Sequence, residues 1–242
     1  SCLIVPRVKE VLEDNPNINE IIINDEEGLH KGLEGKFRLA GQLREKRFDL
    51  AVLLHRSFSR SAIACVAGIP RRIGYDTWKR HFLLTEALPM PEKDSLHRVD
   101  YYLGIVKALT CDVKDRGYDF CINKKDEEFA DEFFRAQGIG PGDFTVCLNP
   151  GGNWYPKRWP KDNFTLLADS LIREYGMKVI FSGSPGDAGL VNEIIAKMRE
   201  KPVIAVGKTT LKQSAAIFKK VNLTVSADSG PLHIAAAVGA NV

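Results

Sequence analysis

Short apolar runs alternate along the chain with longer segments in which apolar residues recur at every third or fourth position. The runs are typical of strands buried on both faces of a parallel sheet, and the recurring pattern is typical of amphipathic helices. The predicted strands are residues 20–23, 50–54, 145–148, 178–181, 203–206 and 223–226. The predicted helical stripes begin at Phe129, Phe164, Leu190 and Leu211. This alternation predicts an α/β protein.

A stretch rich in glycine and proline, residues 136–143, interrupts the pattern just before the apolar run at Thr145. Such composition is typical of a linker, so we expect one domain over residues 1–140 and a second over residues 141–242. The chain opens on an apolar strand-like segment and closes on a helix followed by the start of another strand. We therefore expect it to be a fragment of a longer protein, incomplete in both domains.

The composition excludes several classes of protein. With 44% hydrophobic and 27% charged residues the chain can build a core, and a net charge of +3 gives no reason to expect nucleic acid as a partner. No apolar run approaches the roughly 20 residues that span a bilayer. Five cysteines without metal-type spacing indicate reduced thiols, so we expect a cytoplasmic protein without a metal or other cofactor.

The first third of the chain holds a basic stretch. It consists of Arg56, Arg60, Arg71, Arg72, Lys79, Arg80 and His81. Two interpretations stay open: a solvated surface, or a site for an anionic ligand or an anionic membrane surface.

Three loops in the second half each follow a predicted strand, and loops at the carboxyl ends of parallel strands converge. Residues 149–160 (NPGGNWYPKRWP) combine paired glycines, which let a phosphate approach the backbone, with the positive charge of Lys157. Residues 181–187 (FSGSPGD) place Ser184 before a helix, where unpaired N–H groups attract anions. Taken alone, either loop could equally be an ordinary surface turn.

The third loop, residues 227–233 (ADSGPLH), is the most informative. Asp228 or Ser229 can cap the following helix, Pro231 suits its first turn, and His233 is within reach of a phosphate or a hydroxyl. Two other motifs are discounted. Residues 207–210 (GKTT) lack the first glycine of a phosphate-binding P-loop, and residues 183–186 (GSPG) lack the spacing of a nucleophile elbow.

These loops, together with residues 207–211 (GKTTL) and 228–239 (DSGPLHIAAAVG), resemble glycosyltransferase family 9, the lipopolysaccharide heptosyltransferases. In the first half, residues 67–74 (AGIPRRIG), 80–84 and 97–102 resemble the acceptor-side domain of the same family. The lysine loop is more similar to that of the type II enzymes than to that of type I. The resemblance implies a GT-B fold, in which two Rossmann-like domains face each other across a cleft.

The resemblance also implies an inverting transfer of heptose from ADP-heptose to the lipid A–core acceptor, at the cytoplasmic face of the inner membrane. A peripheral contact with that membrane is part of the expectation. At matching positions, Lys157 would bind the diphosphate and act in catalysis by stabilising its charge. Asp228 would hold the donor sugar, with Ser229, Gly230 and His233 beside it at the helix N-terminus.

Further donor contacts follow from the same resemblance. Gly152 and Asn153 would lie over the phosphates, Asp187 near the ribose and Thr209 near the adenine, with Ser184 in the same site. The family's catalytic base is an aspartate after the first strand, and the resemblance places it before Ser1.

Two alternatives stay open. One is another GT-B enzyme that acts on a different nucleotide sugar or epimerises it without an acceptor. The other is a non-catalytic nucleotide-sugar-binding module.

Overall fold

The computed structural model describes residues 1–92, 95–114, 116–152 and 154–242, which fold as alternating strands and helices. The strands are β1 (Cys2–Ile4), β2 (Ile21–Ile23), β3 (Leu50–Val52), β4 (Arg71–Tyr75), β5 (Glu86–Leu88), β6 (Thr145–Asn149), β7 (Lys178–Phe181), β8 (Val203–Ile204) and β9 (Leu223–Ser226). The α-helices are α1 (Lys9–Leu12), α2 (Gly32–Glu45), α3 (Phe58–Val66), α4 (Arg98–Lys107), α5 (Lys124–Ala136), α6 (Lys161–Arg173), α7 (Ala188–Ile195), α8 (Leu211–Lys220) and α9 (Gly230–Ala237). Short 3-10 turns occupy Pro6–Val8, His81–Leu83, Tyr155–Lys157 and Pro185–Asp187.

The described chain divides into two compact units. The C-terminal unit comprises Ser1–Cys2, Arg7–Ile21 and Gly117–Val242, and the N-terminal unit comprises Leu3–Pro6 and Ile22–Arg116. None of the helices in the described ranges is long and apolar enough to cross a bilayer.

The C-terminal unit is built on a parallel sheet of order β8-β7-β6-β9. Alternate residues of β6 face opposite sides: Val146 and Leu148 pack in a core with α6 and α7, whereas Cys147 packs with α5, α8 and α9. Helices therefore cover both faces, which explains why neighbouring positions in these strands are largely apolar rather than alternating with polar ones. Every β-strand of this sheet points its carboxyl end to the same edge.

The N-terminal unit contains a parallel sheet of order β3-β4-β5, and β1 pairs with β2. One core lies between α2 and α3, around Leu39, Leu43 and Ile63. A second lies around Ile73, Tyr75 and Ile105, where α4 packs on β4. Each core excludes water from one face of the parallel sheet, as expected of an α/β unit.

The units divide between Arg116 and Gly117, whereas the sequence predicts a boundary near residue 140. The difference arises from α5, whose Phe129 and Phe133 pack on the same core as α8. Ile139, within the predicted linker, is also buried in that core. The glycine-rich stretch is thus the turn between α5 and β6 inside the C-terminal unit.

Candidate functional site

A cavity of about 580 Å³ lies at the carboxyl ends of the strands of the C-terminal sheet. Its wall is formed by the loops that follow β6, β7, β8 and β9, because a parallel sheet brings these loops to one edge. Ligands of open α/β sheets bind at this edge. The three loops predicted to converge therefore do so around one candidate site.

The loop after β6 carries the positive charge of the site. In its 3-10 turn the amide of Lys157 donates to the carbonyl of Trp154 at 3.0 Å, and the Lys157 ammonium lies 5.4 Å from the centroid of the Trp154 ring. Nε of Arg158 donates to the carbonyl of Gly152 at 2.7 Å, which ties the glycine end of the loop to its basic end. Two cationic side chains are thereby held at the cavity wall, where they can meet an anionic ligand.

Asp228 connects this loop to the loop after β9. The Lys157 ammonium donates to Oδ2 of Asp228, and Nε2 of His233 lies 3.4 Å from Oδ1. The hydrogen bond from Lys157, with its charge and then that of His233, lowers the pKa of the Asp228 carboxyl below its ordinary value. Asp228 is therefore ionised at neutral pH, and it is better suited to accept hydrogen bonds from hydroxyl groups than to take up a proton.

The Lys157–Asp228 pair is open to solvent. The two side chains are 40% and 60% exposed, and exposed ion pairs contribute only about 0–1 kcal/mol. An incoming anion can therefore replace Asp228 as the partner of Lys157 at little cost in free energy.

The N-terminus of α9 lies beside this pair. Its N-cap residue, Ser229, makes no side-chain hydrogen bond to the first turn. The amides of Leu232 and His233 donate to the Ser229 carbonyl and Pro231 has no N–H, so the amide of Gly230 is the one left for a ligand among the described residues of this turn. A Cβ built on Gly152 would lie 3.9 Å from Cβ of Ser229, which shows how closely the β6 loop approaches this helix end. The Gly230 amide, the helix dipole and Lys157 together make this part of the cavity favourable for a diphosphate.

The loop after β7 is organised by Asp187. Its Oδ2 accepts hydrogen bonds from the amide of Ser184 at 2.9 Å and from its hydroxyl at 2.6 Å. A Cβ on Gly151 would lie 2.5 Å from Oδ1 of Asp187, so any larger residue there would displace this carboxylate. The Asp187 carboxylate thus lies against the β6 loop, and it lines the cavity as well.

The loop after β8 closes the other side of the cavity. Gly207, with a φ of +68°, packs on Pro185 and donates to the carbonyl of Gly183 at 3.1 Å. Beyond it, Oγ1 of Thr209 lies 2.7 Å from Oγ of Ser214 on α8. To the cavity this loop therefore presents hydroxyl groups and the N-terminus of α8, whereas its exposed cation, Lys208, does not line the cavity.

The structure brings most of the predicted site residues together. Those that line the cavity are Gly152, Lys157, Ser184, Asp187, Thr209, Asp228, Ser229 and Gly230. His233 does not line the cavity, but it contacts Asp228, which does. Asn153 lies outside the described residues. The individual roles assigned to these residues remain predictions.

Further residues that sequence reasoning did not choose as site residues also line the cavity. Among them are Glu10, Trp154, Arg158, Ser214 and Phe218. Trp154 and Arg158 belong to the lysine loop and could have been chosen as its aromatic and its second cation. Glu10 carried no sequence signal, because it is brought to the cavity from a distant part of the chain.

The basic stretch of the N-terminal unit is dispersed in the structure. Arg80 is fully buried, and its guanidinium donates to the carbonyls of Tyr75 and His55. It is therefore neither part of a solvated surface nor part of a site for an anion, the two interpretations that the sequence left open. Burial lowers the pKa of Arg80. Four of the others are engaged within the unit: Arg60 with Glu26, Arg71 with Glu86, Arg72 with the Leu83 carbonyl and His81 with Asp76. Arg56 and Lys79 are exposed.

Residues 36–242 match the family model described as glycosyltransferase family 9 (heptosyltransferase). Lipopolysaccharide heptosyltransferase 2 of Salmonella typhimurium is 29% identical over 213 residues, which cover 83% of this chain and 60% of that protein. The chain thus spans about three fifths of the length of this curated relative.

Solved structures agree with this match. A family 9 glycosyltransferase from Veillonella parvula superimposes with a TM-score of 0.90 at 29% identity, over 98% of this chain and 69% of that one. The structure of E. coli ADP-heptose lps heptosyltransferase II gives a TM-score of 0.78 at 24% identity, over 98% and 72%. The predicted α/β fold of the GT-B type is confirmed.

Proposed function

The chain belongs to glycosyltransferase family 9, and from this premise we propose that it is an inverting glycosyltransferase that moves heptose from ADP-heptose to the inner core of lipopolysaccharide. The name of the Salmonella relative supports the sugar and the acceptor, and the name of the E. coli enzyme of known structure supports the donor. The observation that carries the proposal is the Lys157–Asp228 pair beside the N-terminus of α9 in the cavity.

The donor is proposed to lie across the carboxyl edge of the sheet. Because β8 and β9 are at opposite ends of the order β8-β7-β6-β9, their loops are three strand spacings apart, or about 14 Å. The end near β9 offers Lys157, Asp228 and the amide of Gly230, which suit a diphosphate and a sugar. The end near β8 offers Thr209 and Ser214, which suit a nucleoside.

In the proposed reaction an acceptor hydroxyl attacks the anomeric carbon from the face opposite the diphosphate. The bond from that carbon to the diphosphate oxygen breaks, and the hydroxyl proton passes to a base. Negative charge grows on the departing diphosphate, and Lys157 with the amide of Gly230 at the N-terminus of α9 would stabilise it. Asp228, kept ionised by Lys157, would accept hydrogen bonds from the hydroxyls of the sugar.

Titration calorimetry with ADP, ADP-heptose and a UDP-sugar tests the donor site on the chain as it stands. We expect ADP and ADP-heptose to bind, and the Asp228→Asn variant to lose affinity for ADP-heptose while it keeps that for ADP. If neither adenine nucleotide binds, the proposed donor site is wrong.

Transfer to a lipid A–core acceptor is then measured with labelled ADP-heptose, on a protein that also carries the sequence before Ser1, where the family's catalytic base is expected. Label that moves to the acceptor supports the transferase. Conversion of the donor without an acceptor would favour an epimerase, and binding without any turnover would favour a non-catalytic module.

We also propose that the lipid A–core acceptor is met at the cytoplasmic face of the inner membrane, which the N-terminal unit contacts peripherally. Trp78 and Phe82 are 89% and 71% exposed. The exposed cation Lys79 lies between them in the chain, and Arg56 is exposed in the loop after β3. Exposed tryptophan next to basic residues favours the surface of an anionic bilayer.

Vesicle flotation tests the membrane contact. We expect the chain to float with vesicles rich in phosphatidylglycerol and not with phosphatidylcholine alone. A variant with Trp78→Ser and Phe82→Ser should lose this binding, while Tyr175→Ser, which removes an exposed aromatic of the C-terminal unit, should not. Equal binding by both variants would contradict the proposal.

A further inference from the structure

Glu10, on the short helix α1, reaches the cavity from the N-terminal end of the chain. Its Oε2 accepts a hydrogen bond from the amide of Leu211, the first residue of α8, at 2.8 Å. Glu10 lines the cavity, and among the described residues its second oxygen, Oε1, has no hydrogen-bond partner. A negatively charged acceptor is thus placed at the β8 end of the site.

The position of Glu10 is fixed by a neighbouring anchor. Lys212 has a side chain only 6% exposed, and its ammonium donates to the carbonyl of Glu13 at 2.8 Å and to the carboxylate of Asp14. Asn123, the N-cap of α5, donates to the same carboxylate at 3.1 Å. The residues after Glu10 are therefore held against both α8 and α5 within the C-terminal unit.

Other polar side chains at this end of the cavity are already engaged. The hydroxyls of Thr209 and Ser214 contact each other, and the hydroxyl of Thr210 accepts from the amide of Gln213 as the cap of α8. The remaining charged residues that line the cavity, Lys157, Arg158, Asp187 and Asp228, belong to the loops after β6, β7 and β9. Among the charged residues that line the cavity, Glu10 is therefore the one at the end proposed for the nucleoside.

We propose that Oε1 of Glu10 accepts a hydrogen bond from the exocyclic amino group of the donor's nucleobase, which makes Glu10 a specificity-determining residue. This inference rests on the proposed donor site. An ionised carboxylate can only accept hydrogen bonds, so it favours a base whose edge presents an amino group, as adenine does at N6. It disfavours a base that presents a carbonyl oxygen at the corresponding position, because two acceptors then face each other.

ADP and inosine diphosphate form a matched pair for the test, since at position 6 of the purine the first carries an amino group and the second a carbonyl oxygen. We expect the wild-type chain to bind ADP roughly ten- to a hundredfold more tightly than inosine diphosphate, the range for a hydrogen bond to a charged group. In Glu10→Gln the amide can present either an acceptor or a donor. The preference should then fall to within about threefold, because the charge that rejected the carbonyl oxygen is gone.

Glu13→Gln is the control, because it removes the same charge next to the same helix from a carboxylate that pairs with Lys9 and does not line the cavity. It should keep the wild-type preference. Both nucleotides are measured on each variant, so a loss of folded protein lowers both affinities equally and leaves their ratio unchanged.

The outcomes separate the two proposals. If the wild-type chain binds both nucleotides and Glu10→Gln keeps the wild-type ratio, Glu10 merely caps α8 and the inference is overturned. If the wild-type chain binds neither nucleotide, the donor site itself fails and the inference fails with it.

Discussion

Replacing Lys157 with methionine is expected to weaken the binding of ADP about 10- to 100-fold. Methionine keeps an unbranched apolar chain that can still pack on Trp154, so the change removes mainly the charge. A hydrogen bond to a charged group is worth about 1.5–3 kcal/mol, which corresponds to roughly one to two decades in Kd. Breaking the Lys157–Asp228 pair costs about 0–1 kcal/mol, because the pair is exposed. The free energy gained from the bond between Lys157 and the diphosphate is lowered by that amount.

The same substitution leaves Asp228 without its main cation beside the diphosphate. Its negative charge then repels the ligand, and raising the ionic strength should lessen this repulsion. Adding Asp228→Asn to Lys157→Met should therefore recover part of the lost affinity for ADP. The assay is titration calorimetry at low and at high salt.

Lys161→Met provides a matched control. The Lys161 side chain is 42% exposed, against 40% for Lys157, and it also holds one carboxylate, that of Glu193 at 2.6 Å. It does not line the cavity, so its replacement should change the Kd for ADP by less than about twofold. If Lys157→Met stays within the same twofold limit, Lys157 does not bind the diphosphate and the reasoning is refuted.

Three other predictions concern the C-terminal unit. Gly151→Ala should abolish ADP binding and lower the free energy of unfolding by about 1–3 kcal/mol, measured in urea, because its Cβ would meet Asp187 at 2.5 Å. Burial raises the pKa of the Cys147 thiol to about 12, so this cysteine should resist alkylation at mildly alkaline pH until the protein unfolds, as peptide mass spectrometry would show. Lys212→Met should destabilise the fold by about 1–2 kcal/mol near neutral pH, because it leaves Asp14 without its cationic partner. Lys212 lowers the pKa of Asp14 in the folded state, so the stability from this pair is present above the ordinary aspartate pKa and is lost as the pH falls. The gap between wild type and variant should therefore shrink in urea titrations at acid pH, and a constant gap would contradict the assignment.

The sequence alone determined the C-terminal sheet and its loops. The predicted strands 178–181 and 223–226 coincide with β7 and β9, because strands covered on both faces form short, largely apolar runs. The loops of Lys157, Asp187 and Asp228 were expected to converge, because parallel strands end at one edge, and they line one cavity. These features follow from local pattern and from topology.

Many strands and helices of the N-terminal unit could not be predicted from the sequence pattern. The strand β4 begins with Arg71 and Arg72, which belong to the basic stretch in sequence, whereas their side chains are engaged by Glu86 and by the Leu83 carbonyl. The strand β5 has only three residues, too few to show a period. The helices α2, α3 and α4 were also missed.

Only the tertiary structure decided which distant groups meet. The sequence predicts Arg80 to be one of a group of surface or ligand-binding cations, but the fold buries it against main-chain carbonyls. Glu10 lies 201 residues from Leu211, and Lys212 lies 198 residues from Asp14, yet each pair is in contact. Apolar periodicity predicts which face of an element is buried, but not which polar atoms that burial brings within hydrogen-bond distance. Which polar atoms meet depends on how whole elements pack. This packing brings the carboxylate of Glu10 to a site whose other loops the sequence already predicts.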